Sequence, residues 1–107
     1  MVKEETPTKR VTKEDLMRLI TDVVDVEIDG RKFGVRPITY AEDAEIERIA
    51  SEQRTDEEKM RQRILFTAWK GLVDPRLEMT DLEQLPVGLV TKIAIEVGRI
   101  SAGVPKN

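Results

Sequence analysis

The chain reads as an α+β domain: a β-hairpin packed on a small bundle of three to five helices, with disordered N- and C-terminal tails. Three observations predict it. Asp29-Gly30 stands between two short runs of alternating apolar residues, where a two-residue hairpin turn belongs. Thr39 with Glu42, and Thr55 with Glu58, have the spacing of capping boxes, and each opens a segment with apolar residues at helical spacing. The 107 residues are 39% hydrophobic and 36% charged. That length and balance suit one domain, able to bury roughly 65% of its unfolded surface under a charged exterior.

Residues 1–10 are charged, contain Pro7 and offer almost nothing apolar to bury, so they are expected to be disordered. The domain is expected over residues 11–102. Thr12 and Asp15 form a weaker box, with Val11 and Leu16 at staple positions. Leu16, Leu19 and Ile20 then make one apolar stripe on a helix of about three turns at most.

Val23 to Pro37 is the hairpin. A type I′ turn at Asp29-Gly30 sets the register, pairing Ile28 with Arg31, Glu27 with Lys32, Val26 with Phe33 and Val24 with Val35. Apolar pairs fall on one face and an opposite-charge pair on the other, and a slip of one residue would lose both. Pro37 ends the second strand because it has no N–H to donate.

The Thr39 box starts a helix to about Ser51, with Tyr40, Ala41, Ala44, Ile46, Ile49 and Ala50 as its apolar positions. The Thr55 box starts a longer one to about Lys70, with Met60, Ile64, Leu65, Ala68, Trp69 and Leu72 as its buried stripe. Gly71 is placed to end it in a left-handed cap. After Asp74-Pro75 a loop is expected. Thr80 with Glu83 predicts one capped turn, and Pro86 suits the first turn of a last helix with Leu89, Val90, Ile93, Val97 and Ile100 inward. Residues 103–107 read as a flexible tail.

Composition narrows the function. The chain has no Cys and no His, which excludes disulfides, thiol chemistry, soft-metal sites and imidazole acid–base catalysis. A formal net charge of -3, with both signs interleaved, opposes nucleic-acid binding. No apolar run approaches the about 18 residues of a membrane span, and the first residues lack the apolar core of a secretion signal. A cytoplasmic location and no membrane partner are therefore expected.

The residues that could carry chemistry have plainer roles. Glu42, Asp43, Glu45 and Glu47 are too close in sequence to converge on one metal ion from a helix, and read as a solvated face. Arg54, Lys59, Arg61 and Arg63 form a modest basic patch, part-neutralised by Glu57 at the (i, i+4) position of Arg61. Trp69 sits in an apolar stripe and reads as core. No catalytic, cofactor or metal set emerges, and no enzyme is expected. The one site-like segment holds Leu77, Met79, Leu82 and Leu85, four large apolar residues in an irregular stretch. They either cap the core or form an apolar groove for a partner segment.

Taken in order, VEIDGRKFGVRPITYAEDAEIERI, RQRILFTAWKGLVDPRL and LEQLPVGLVTKIAIEV resemble the tail assembly chaperones of long-tailed phages and prophages, over roughly Val23 to Ser101. The resemblance implies a non-enzymatic factor that binds the tape measure protein, keeps it soluble and recruits tail tube protein. It implies action in the host cytoplasm, with self-association of the coat, and absence from the finished particle. In many members of that family a ribosomal frameshift appends a further domain, and the codons for Lys106-Asn107 can supply half of a slippery run. Other expectations stay open: a small structural tail or connector protein, or a regulatory adaptor for one partner.

Overall fold

A computed structural model describes residues 9–103. The tail expected over residues 1–10 falls almost wholly outside them, as do residues 104–107. The elements follow in the order α1 (Lys13–Thr21), β1 (Val24–Ile28), β2 (Arg31–Val35), α2 (Tyr40–Ser51), α3 (Asp56–Gly71), β3 (Leu72–Asp74), α4 (Met79–Leu82) and α5 (Val87–Ser101). The fold is α+β.

The hairpin forms in the expected register. Asp29 and Gly30 carry φ angles of 52° and 77°, the left-handed pair that a type I′ turn requires. Alternation then turns Val26, Ile28, Phe33 and Val35 to the interior. The boxes at Thr12, Thr39 and Thr55 are made: each Thr hydroxyl accepts from the backbone N–H three residues on, at 3.1 Å in all three.

One strand was not expected. β3 pairs antiparallel with the outer edge of β2, Val35 opposite Leu72 and Gly34 opposite Asp74, giving a sheet of order β1-β2-β3. Gly34 makes room for it, since a Cβ there would lie 2.8 Å from Val23 Cγ1 and 3.0 Å from Asp74 Cβ. Three residues show no periodicity of their own, so β3 is visible only as a pairing.

The expected left-handed cap at Gly71 is corrected. Gly71 is absent from the positive-φ residues, and Leu72 leaves the helix in extended backbone (φ -80°, ψ 119°). The chain steps straight into β3, so no left-handed residue is needed. Gly71 serves packing instead, because a Cβ there would sit 2.4 Å from Val97 Cγ1 on α5. Arg76 closes the helix end, its Nη1 donating to the carbonyls of Trp69 at 2.8 Å and Leu72 at 2.9 Å.

Two further boundaries move. The single turn α4 starts at Met79 with Glu78 as N-cap, not at Thr80 with Glu83; Glu78 N–H donates to Asp81 Oδ2 at 3.2 Å. This earlier start puts Leu82, 1% exposed, at the inner end of the turn. Pro86 is the N-cap of α5, one place before the first turn, its carbonyl accepting from Leu89 and Val90.

Most of the core is one cluster. The inner face of the hairpin meets Ala68 and Leu72, Leu82, and the α5 stripe Val90, Ile93, Ala94 and Val97. α3 lies at the centre of the helical layer, packed on α5 along one side and on α2 along the other. On α2, Ile46 and Ala50 are buried. Of the apolar positions expected on α2, Tyr40, Ala41 and Ala44 are exposed, Tyr40 to 93%, and Met60, expected on the buried stripe of α3, is exposed too.

Candidate functional site

The outward side of the α3–α5 seam is an apolar furrow. α3 approaches α5 closely because Gly71 and Ala68 bring little side chain to the crossing, leaving larger residues on either bank. At one end, α4 and its following loop close the seam into a hollow of about 210 Å³ with Ile64, Leu65, Leu82, Leu85, Val87 and Val90 in its walls. Arg61 from α3 and Glu83 from beyond α4 are the charges at that mouth. The hollow shares Ile64 and Thr91 with a second, shallower one that continues over Met60, Ala94, Ile95 and Gly98. That one shares Thr67 and Gly98 with a third, which reaches Ile38, Tyr40 and Ala102. Together they follow α5 from Val87 to its last turn, about 21 Å at 1.5 Å per residue.

The bank residues are unusually exposed for their type: Val87 to 81%, Ile95 to 60% and Met60 to 54%. Val87, Thr91, Ile95 and Gly98 recur at spacings of four, four and three, so they form one stripe of α5 beside its buried one. Neither Gly88 nor Gly98 has a heavy atom within 4 Å of where a Cβ would lie, leaving the backbone of α5 open to close approach.

The four residues expected to bind a partner divide. Leu82 and Leu85 line the closed end of the furrow. Leu82 is also core, so it forms floor more than contact surface. Leu77 packs against the core and Met79 is half-buried, and neither lines the furrow. Ile64, Val87, Thr91 and Ile95 were missed. One signal for them was present: between Val87 and Ile100 only Lys92, Glu96 and Arg99 are charged, so α5 is more apolar than one buried stripe requires.

The carboxylates of α2 do more than face solvent. Asp43, Glu45 and Glu47 are exposed as expected, whereas Glu42 is part-buried, and three of the four also bind neighbouring elements. Glu42 receives both Nη atoms of Arg36, at 3.0 and 2.7 Å. Glu45 meets Lys70 at 3.2 Å and Glu47 meets Arg63 Nε at 3.0 Å. The Arg36 hydrogen bond leads in holding the Glu42 carboxyl down to about 2, with the Thr39 cap adding to it against partial burial. These pairs clamp α2 to the end of β2 and to α3. Among the described residues no group of three Asp or Glu could hold a metal ion.

Trp69 is half-buried at the other end of α3. Lys70 Nζ and the Arg76 guanidinium stand 5.2 and 5.3 Å from its ring centre, and Phe66 meets it edge-on at 6.1 Å. Trp69, Lys70 and Arg76, with Ile20, Val23 and Arg36, surround a more polar hollow where α1 joins the domain. No helix among the described residues is long and apolar enough to cross a membrane. The chain matches no family model, no curated protein and no solved structure with which it was compared.

Proposed function

We propose that this chain is a protein-binding module that holds an amphipathic helix of a client along the α3–α5 furrow. The furrow carries the reading. It is long enough for about four turns of helix, its banks are apolar, and its charges stand at the rim, the arrangement of helix-in-groove recognition. Open backbone at Gly98 and flexible Met60 tolerate varied side chains.

The particular client comes from the resemblance of Val23 to Ser101 to the phage tail assembly chaperones. On this reading the client is the tape measure protein, a long helical chain with many apolar stripes. Many weak contacts along it add up through avidity and keep it soluble until tail tube protein is recruited. The chain acts without catalysis, in the host cytoplasm, and leaves before the particle is complete.

Co-expression with the tape measure protein encoded beside it tests this. The wild-type chain should move the client into the soluble fraction and co-purify with it. Val87→Asp with Ile95→Asp should cut the recovered complex at least about tenfold, the loss of about 1.4 kcal/mol, with an unchanged circular dichroism spectrum. A client that stays insoluble with the wild-type chain overturns the reading. So does finding the chain in purified particles by mass spectrometry, which would make it a structural component of the tail.

A further inference from the structure

The hollow around Trp69 gathers positive charge that the fold leaves in excess. Arg36, Lys70 and Arg76 line it, with Glu42 as its one acid. Two of these cations are committed: Arg36 binds Glu42 at 2.7 Å and Lys70 binds Glu45 at 3.2 Å. Arg76 makes no ion pair among the described residues. Asp22 and Asp74 adjoin lining residues in the chain but are not in the wall. We infer that this hollow binds a carboxylate carried on an apolar residue, with the guanidinium of Arg76 as its anchor.

Three observations select that ligand. The first is the fixed pose of Arg76. Its Nη1 donates to the carbonyls of Trp69 and Leu72 at 2.8 and 2.9 Å, and its Cζ stands 5.3 Å from the Trp69 ring centre. These contacts hold the guanidinium plane and leave Nε and Nη2 without an acceptor among the described residues. Their N–H groups lie side by side on one edge, the fork that takes both oxygens of a carboxylate. Because the side chain is already held, little rotamer freedom remains to be lost on binding. The second is charge balance. With Arg36 and Lys70 each matched to a carboxylate, one positive charge is left over, which suits a monoanion better than a phosphate dianion. The third is the wall. Ile20, Val23, Leu72, Val73 and the Trp69 ring surround the same space of about 470 Å³. That is well above the about 150 Å³ that holds a benzene ring, so an apolar side chain fits beside the charged group.

An apolar C-terminal residue of a peptide presents this combination, a free carboxylate and a hydrocarbon side chain on one α-carbon. An internal Asp or Glu offers the carboxylate with no apolar group to cover the wall. The site is separate from the α3–α5 furrow, since the two share no lining residue. The inference therefore does not depend on the client-helix reading. Trp69 also supplies a reporter: its Nε1 is a buried donor without a hydrogen-bond partner among the described residues, so its proton resonance responds to charge brought close to the ring.

Titration of the full-length chain with N-acetyl-leucine, a single residue with a free carboxylate, tests the inference. Trp69 is the chain's one tryptophan and lies in the wall, so its fluorescence follows binding. The change should saturate with a Kd on the order of 1 mM, and the Trp69 indole N–H resonance should move with the same midpoint. N-acetyl-leucinamide lacks the charge and N-acetylglycine lacks the apolar side chain, and each should bind at least about tenfold more weakly. Arg76→Lys keeps the positive charge but not the fork. It should weaken acetyl-leucine at least about tenfold, with an unchanged circular dichroism spectrum. The amide control uses the unaltered chain, so the test holds even if Arg76→Lys loosens the end of α3. Val87→Asp with Ile95→Asp, altered only in the furrow, should bind acetyl-leucine as the wild type does. No saturation, equal binding of acid and amide, an Arg76→Lys chain that binds like the wild type, or tighter binding of inorganic phosphate overturns the inference. If acetyl-leucine binds as described while no client helix is held, the furrow reading falls alone.

Discussion

α1 and α5 are both amphipathic helices with apolar residues at helical spacing, yet they meet opposite fates. Ile93 and Val97 of α5 are wholly buried against the sheet and α3. Leu16 and Leu19 of α1 have the same chemistry and stay in solvent. The difference lies in what each helix can reach. α5 follows a loop and packs on α3 and β1, whereas α1 ends two residues before β1 and buries none of its residues. Periodicity shows that a helix has an apolar face; topology decides whether the same chain covers it.

The widest gap between the two should appear on truncation. Ile93→Ala removes fully buried atoms between sheet and α3, and urea unfolding should show a loss of about 2–5 kcal/mol. Leu19→Ala should change stability by less than about 0.5 kcal/mol. A comparable loss at Leu19 would mean that α1 is packed on the domain.

A smaller effect separates the α2 clamp from the α1 surface charges. Glu42 has its carboxyl held at about 2, below the usual range, by Arg36. Its stabilisation is therefore present above about pH 4.5 and is lost as pH falls toward 2. The side chains of Arg36 and Glu42 are 24% and 21% exposed, so solvent screening reduces the linkage value, and about 1–2 kcal/mol is expected. Glu42→Gln should lower stability by that amount at pH 7 and flatten the acid limb of the pH–stability curve. An unchanged acid limb would assign the acid sensitivity elsewhere.

The smallest contrast uses one motif in two settings. Thr12 and Thr55 make the same capping box at the same 3.1 Å. Thr55→Ala should cost about 1 kcal/mol of global stability, because α3 is packed into the core. Thr12→Ala should leave the midpoint of unfolding unmoved and lower only the helical signal, because α1 frays without unfolding the domain. Equal shifts in the midpoint would show that the two helices unfold together.

The candidate site was half legible before the fold. Leu82 and Leu85 were picked out because large apolar residues in an irregular stretch need a reason. Leu77 and Met79 were picked out with them and lie away from the furrow, since sequence proximity says nothing about which side of a turn a side chain takes. Val87 and Ile95 escaped notice because a second apolar stripe on α5 reads as extra core until α3 is seen to cover only one side. The pairing of Glu45 and Glu47 with Lys70 and Arg63 was hidden for the same reason: residues 16 to 25 positions apart meet only when α2 docks on α3.

Local physics was enough for the turn at Asp29-Gly30, the hairpin register, the three Thr caps and the existence of the main helices. Each depends on backbone conformation and on neighbours within a few residues, whose preferences survive in any context. Tertiary structure alone decided the third strand, the role of Gly71 beneath Val97, the guanidinium cap from Arg76, and which apolar faces remain open. Those outcomes rest on contacts between distant segments. Their energies depend on what the rest of the chain brings alongside, and no local pattern of residues carries that information.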